Sequence, residues 1–190
     1  LSRFARTGDR LIGMREWPMS ESVATLIPRV GYRTMAWSGR PLEAAGAWVS
    51  PDGRLLAVAH HSDVSGVEGD CLLWDLARNR EVARVKGIGA QFSVDSRRLF
   101  TFARYGENRV RGFDVSVEAL ADLPGEWHAG ASLYEGQRGQ TVNGGVLAPD
   151  GRTLVIAATD AVVFLDTSGK EPLRTWGKSA HYVSLSPDGR

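Results

Sequence analysis

Ser50-Pro51-Asp52-Gly53-Arg54 is the stretch on which the reading of the fold turns, because it returns as Ala148-Pro149-Asp150-Gly151-Arg152 and as Ser186-Pro187-Asp188-Gly189-Arg190. Each residue type has a mechanical reason to stand where it does. Proline presets φ at about −65° for the first central position of a type I turn, aspartate suits the second, and glycine takes the left-handed position that closes a bulged hairpin. The phrase predicts a tight connection between two antiparallel strands.

Outward from it, two weaker copies fill the gaps: Ser93-Val94-Asp95-Ser96-Arg97, and Arg6-Thr7-Gly8-Asp9-Arg10 ahead of all the others. Counted on the second residue of each phrase, from Thr7 to Pro51, Val94, Pro149 and Pro187, the intervals are 44, 43, 55 and 38 residues. They bracket the roughly 40–45 residues of a four-stranded propeller blade. A β-branched residue at Gly53 should cost about 1–2 kcal/mol in the left-handed region. Ser96 at the equivalent position predicts a strained or different turn.

Strands flank each turn. Gly46-Ala47-Trp48-Val49, Gly89-Ala90-Gln91-Phe92, Gly145-Val146-Leu147 and His181-Tyr182-Val183-Ser184-Leu185 precede it; Leu55-Leu56-Ala57-Val58-Ala59, Leu99-Phe100-Thr101-Phe102 and Leu154-Val155-Ile156-Ala157-Ala158 follow it. The second set is apolar on both faces, as in sheets sandwiched between neighbours. A third strand carries its own signature. Cys71-Leu72-Leu73-Trp74-Asp75-Leu76, Val110-Arg111-Gly112-Phe113-Asp114-Val115 and Val162-Val163-Phe164-Leu165-Asp166-Thr167 superimpose, each with a bulky residue followed by Asp. The more polar Glu81–Val85 and Pro172–Trp176 read as outer edge strands.

These phrases resemble the WD-repeat family, in which a bulky residue followed by Asp ends the third strand of a blade and the turn phrase joins the first strand to the second. The resemblance implies an all-β propeller of four-stranded antiparallel blades, with about four blades present and the ring incomplete. Approximate repeats fall at 1–45, 46–87, 88–140 and 141–178, with the start of a further blade at 179–190. The ragged ends predict further blades in the parent protein. Its structural motif residues are Pro51, Asp52, Gly53, Trp74, Asp75, Phe113, Asp114, Pro149, Asp150, Gly151, Asp166, Pro187, Asp188 and Gly189. The family's Gly-His pair, whose His joins a network with a Ser or Thr, the Trp and an Asp, is replaced here by Gly87-Ile88 and Gly177-Lys178. The blades should therefore lean on packing more than on buried polar pairs.

Two regions fit less well. Met35 to Leu42 reads best as the third strand and turn of the first blade, leaving a long loop around Trp17 to Pro28. The 55-residue interval puts about a dozen extra residues into the third blade, best placed from Pro124 to Gln140.

Composition excludes several classes of function. With 23 Lys and Arg against 22 Asp and Glu, the net charge is +1, and no global field favours nucleic acid or an anionic membrane. The single cysteine, Cys71, rules out an internal disulfide framework and fits a reducing compartment; it takes the apolar position that Val110 and Val162 fill in sister blades. No apolar run approaches the roughly 18 residues that span a bilayer, and Leu1 to Arg6 has no signal-peptide core. A cytoplasmic setting is expected.

No catalytic residue, cofactor or metal site is expected. His60-His61-Ser62-Asp63, with Asp70-Cys71, has the residue types of a metal site, but adjacent histidines on a strand point to opposite faces, which favours a polar loop. No Gly-x-Ser-x-Gly elbow, phosphate loop or dinucleotide fingerprint is present. Arg97, Arg98, Arg104, Arg109 and Arg111 form the densest basic patch, read as a solvated blade edge ahead of an acidic-partner site. Trp127 and His128 in the long insertion either anchor a partner or cover their own blade, tryptophan being enriched at interface hot spots. The candidate partner-binding residues are Trp127, His128, Arg104 and Tyr105.

The resemblance implies a non-catalytic scaffold whose loops at one rim engage a protein or peptide, with no nucleic acid and no membrane. Bacterial WD-repeat propellers are frequently attached to signalling domains such as Ser/Thr kinases, and the plain Pro-Asp-Gly-Arg style resembles those. The alternative is the propeller portion of a hydrolase or peptidase, or of a periplasmic translocation-type protein. A metal-bearing propeller enzyme would place carboxylates or histidines from several blades at the central channel, where the first strands here offer only His181.

Overall fold

A computed structural model describes the strand backbones 2–7, 10–15, 23–27 and 33–35 together with residues 44–60, 69–103, 109–121, 130–137, 139–168 and 172–186. They form four antiparallel sheets of four strands. The first holds β1 (Ser2–Thr7), β2 (Arg10–Arg15), β3 (Val23–Ile27) and β4 (Arg33–Met35). The second holds β5 (Ala44–Val49), β6 (Leu55–His60), β7 (Asp70–Asp75) and β8 (Arg80–Lys86). In the third are β9 (Gly89–Phe92), β10 (Arg98–Phe102), β11 (Arg109–Asp114) and β12 (Ala131–Glu135), with a short helix α1 (Val117–Ala121) between the last two. The fourth holds β13 (Val142–Leu147), β14 (Thr153–Ala158), β15 (Val162–Asp166) and β16 (Pro172–Trp176). Strands lie in chain order across every sheet. The first strands adjoin in succession, β1 beside β5, β5 beside β9 and β9 beside β13.

The turn phrase builds the same hairpin three times. The amides of Gly53, Ser96 and Gly151 donate to the carbonyls of Ser50, Ser93 and Ala148 at 2.8, 2.9 and 2.9 Å, and these three residues have φ of 69°, 60° and 68°. Asp52, Asp95 and Asp150 each accept from the amide two residues on, at 3.0, 3.1 and 2.8 Å. That bond explains why a short acid stands at this place. Ser96 therefore keeps the common turn and holds a non-glycine residue in the left-handed region, a cost of about 1–2 kcal/mol. Of the two outcomes open from sequence, the strained one is found.

The bulky-Asp signature also has a local cause. Asp75, Asp114 and Asp166 accept from the amides of Ala77, Ser116 and Ser168 at 2.9, 2.9 and 2.7 Å, so each folds the chain over at the end of the third strand. Next to them, the amides of Leu76, Val115 and Thr167 donate to the carbonyls of Arg54, Arg97 and Arg152 at 2.9, 2.8 and 2.8 Å. This bond lengthens the ladder between second and third strands by one rung.

Apolar side chains fill the seams between sheets. Leu55, Ala57, Cys71 and Leu73 of the second sheet pack with Phe92, Leu99 and Phe113 of the third. Phe100, Phe102 and Val110 of the third pack with Leu154, Ile156, Val163 and Leu165 of the fourth. Leu99 and Phe100 are neighbours in β10 and serve opposite seams, as period-two alternation requires of a strand apolar on both faces. Each such fully buried side chain contributes about 1.5–3 kcal/mol. Close approach explains Gly145: a Cβ there would lie 2.5 Å from Cε1 of Phe102 and 2.9 Å from the carbonyl oxygen of Val155. The outer strand β16 is exposed along its whole length, with the Arg174 guanidinium 4.9 Å from the Trp176 ring centroid.

Three expectations need correction. His181 to Leu185, read as the first strand of a further blade, form no strand, since no second strand is described beside them with which to pair. In the first sheet the third strand is Val23–Ile27, inside the stretch read as a loop, and Arg33–Met35 is the fourth strand. A third strand has neighbours on both edges, and Val23 to Ile27 is apolar enough for that place, whereas the Arg33 and Thr34 backbone suits an edge. In the third sheet the extra residues begin directly after Asp114, with α1. The stretch read as an insertion contains the fourth strand, Ala131–Glu135, paired with β11 through a register shift between Val110 and Arg111. The turn residues Pro187, Asp188 and Gly189 lie outside the described residues.

Candidate functional site

Antiparallel meanders place their connections at two ends. At one end stand the turns between first and second strands and the bends after the third strands; at the other stand the links from second to third strands and from each sheet to the next. Segment 104–108 joins β10 to β11, and the amide of Ala103 donates to the carbonyl of Arg109 across its base at 2.8 Å. Segment 122–129 joins α1 to β12. Arg104, Tyr105, Trp127 and His128 lie outside the described residues. The attachment points of their two segments are nonetheless fixed, and they leave β11 from opposite ends.

At the turn end, guanidinium groups tie the second sheet to the third and the third to the fourth. Nη2 of Arg54 donates to the carbonyl oxygen of Val115 at 2.5 Å, and Nη2 of Arg98 donates to that of Thr167 at 2.8 Å. Both acceptors directly follow the Asp of the bulky-Asp pair. The Arg98 guanidinium also lies 5.2 Å from the centroid of the Phe100 ring. Of the basic patch anticipated from sequence, Arg98 is thus spent within the fold, and Arg109 pairs with Glu135 at 3.0 Å.

The carboxylates here are settled by the fold as well. Burial pushes Asp75 up, but the amide and guanidinium of Arg78 and the amide of Ala77 outweigh it, so the acid lies below the ordinary carboxylate range. At Asp52 burial is likewise outweighed, by the Ser50 hydroxyl and by the amide and guanidinium of Arg54. The Ser93 hydroxyl and the Arg97 amide lower Asp95, and the Thr153 and Arg152 amides lower Asp150. All four are committed anions bonded to their own turns.

At the opposite end stands a polar cluster that sequence reasoning missed. Gln140, 6% exposed, accepts at Oε1 from the Tyr134 hydroxyl at 2.7 Å and from the Gln137 amide at 3.0 Å, and donates from Nε2 to Asp160. It joins the outer strand of the third sheet to the link between β14 and β15 of the fourth. The signal available was Gly139-Gln140 just ahead of a first strand, a side-chain amide where the resembled family places histidine. Burial raises the Tyr134 phenol, and Asp160 adds to the effect against the Gln140 bond. Cys71 is wholly buried, and burial pushes its thiol far up, so it acts as a packing group. Among the described residues, no group of three or more His, Cys, Asp or Glu is placed to hold a metal ion.

Comparison of the fold with solved structures finds the β-propeller domain of Cps50 (Swd1) from Myceliophteria thermophila, with a TM-score of 0.69 and 18% sequence identity. The match covers 100% of this chain and 59% of that one, so the chain spans about three-fifths of the propeller domain it matches. Four meandering four-stranded sheets, laid first strand beside first strand, are a partial β-propeller. No family model matches the sequence, and no curated protein matches it.

Proposed function

We propose that this propeller segment is of the WD-repeat type and acts as a non-catalytic platform on which a protein or peptide partner docks through the connecting segments, with a signalling domain attached outside the segment. The observation that carries this reading is where the polar groups of the repeat go. Asp52, Asp75, Asp95, Asp114, Asp150 and Asp166 each accept a backbone amide of their own turn, and Arg54 and Arg98 each donate to a backbone carbonyl of the next sheet. Repeated polar side chains are thereby consumed in holding the frame. What varies between sheets is the connections, and loops on a rigid scaffold are where binding residues concentrate.

Because segments 104–108 and 122–129 leave β11 from opposite ends, their residues are tested separately. Affinity capture with wild-type protein, a Trp127→Ala variant and an Arg104→Ala variant, followed by binding titration of each recovered partner, reads out which end is used. Loss of at least about ten-fold in affinity for one variant alone, about 1.4 kcal/mol, supports docking at that end. Identical partners with unchanged affinities for both variants would overturn the assignment of these residues.

A further inference from the structure

The turn of the third sheet differs from its sisters in a way that reaches beyond the hairpin. Ser96 takes the left-handed φ of 60° at the position that glycine fills in the second and fourth sheets. Glycine reaches that region without steric penalty, and serine does not. The side chain that makes the position costly also makes a bond that glycine cannot. Oγ of Ser96, in a residue 2% exposed, accepts from the backbone amide of Asp52 at 3.0 Å, and Asp52 belongs to the turn of the second sheet. Two residues further along that turn, Arg54 reaches Val115 of the third sheet.

We propose that Ser96 is a strained latch that holds the turn ends of the second and third sheets together, and that the rest of the seam follows it when the latch is released. The amide of Asp52 stands at the apex of its hairpin, where the phrase itself supplies no internal acceptor for it. A hydroxyl presented from the neighbouring sheet closes that gap. At Gly151 the fourth sheet presents no side chain, so the third sheet's turn receives no such bond, and its tie to the fourth sheet runs through Arg98 and Thr167. The two seams are therefore fastened differently at the same end of the molecule.

Amide hydrogen exchange on the full chain tests this, with Ser96→Gly, Ser96→Ala and Ser96→Asn beside the wild type. Relief of strain and loss of the latch oppose one another in Ser96→Gly. The expected result is that the Asp52 amide exchanges about ten-fold faster or more in that variant, whereas the Gly151 amide keeps its wild-type rate. Ser96→Asn, a residue that tolerates the left-handed region and carries an acceptor, restores most of the protection at Asp52. Ser96→Ala, which keeps the strain and loses the acceptor, loses protection at Asp52 and melts below Ser96→Gly. Unchanged or slower exchange at Asp52 in Ser96→Gly, together with a raised melting midpoint, would show that serine is merely tolerated in the turn and would overturn the proposal. Equal acceleration at Asp52 and Gly151 would overturn it too, since that reports a general loss of stability.

Discussion

Nη2 of Arg54 sits 2.5 Å from the carbonyl oxygen of Val115, a contact between residues 61 apart in sequence that joins the second sheet to the third. Its donor is charged and its acceptor is a main-chain group, so removing the side chain leaves a carbonyl in the seam without that partner. Arg54→Ala should lower stability by about 1–2 kcal/mol, read from the midpoint of urea unfolding. Arg54→Lys should recover less than half of the loss, because a single ammonium on a more flexible stem cannot reproduce the planar fork. Full recovery by lysine would mean that charge alone matters there.

Crowding at the first strand of the fourth sheet sets a second expectation. A methyl at position 145 would lie 2.5 Å from the Phe102 ring and 2.9 Å from a backbone oxygen, and the latter cannot rotate away. Gly145→Ala should therefore cost about 1–3 kcal/mol, the range for overpacked cores. Gly177→Ala, where a Cβ would meet nothing within 4 Å, is the control and should change the denaturation midpoint little. Equal effects at the two positions would contradict this account of the packing.

Acid should loosen the fold through Asp75. Its folded-state value is depressed, so its contribution is fully present above the unfolded carboxylate value of about 3.9 and is lost as pH falls through the lower folded value. Asp75→Asn keeps an oxygen for the two amides but loses the ion pair with Arg78 at 2.9 Å. Near neutral pH the variant should be less stable than wild type by ~1 kcal/mol, discounted because Arg78 is largely exposed. The two proteins should converge as pH falls through the depressed folded value and the wild-type acid becomes protonated as well. Urea midpoints from pH 2 to 6 measure this; a gap that persists undiminished at the acid end would refute the ionic cause.

Gln140 offers a test with the opposite sign. Replacing it by glutamate puts a second carboxylate against Asp160 in a site where residue 140 is buried, and both burial and like charge raise the new acid's value. Gln140→Glu should be destabilised by about 2–3 kcal/mol at neutral pH, from the loss of a buried donor and the added repulsion. Part of that deficit should disappear as pH falls through the raised value, because the protonated acid can donate to Asp160 again. Gln140→Ala should be less stable with no such recovery. A thermal-midpoint series against pH separates the two variants.

Sequence made much of this frame readable because the frame is made of local bonds. Pro51-Asp52-Gly53 and Asp75 act on amides two or three residues away, so their presence in the chain is nearly equivalent to their structure. The four-strand period followed from them. Where the turn phrase and the bulky-Asp pair are missing from the sequence, the strands are not legible in it. The segment Val23 to Ile27 ends in no bulky-Asp pair and so carries no strand signature in the sequence, while the third sheet resumes its fourth strand only after a helix that no turn phrase announces. Contacts between sheets were invisible for another reason. Arg54 and Val115, or Gln140 and Asp160, meet only after whole strands have been laid down between them. The residues expected to meet a partner carry no repeat signature at all, since connections are set by what they bind or shield and not by the period.

The ties from Arg54 and Arg98 share one property with a wider consequence. Each lands on a main-chain oxygen, once at a valine and once at a threonine, so the receiving residue can be exchanged for nearly any other without losing the handhold. Through these two ties a blade asks its successor for a shape and a carbonyl and not for a particular side chain. Units built on that rule can be duplicated, shuffled or allowed to drift apart in composition while still fitting shoulder to shoulder.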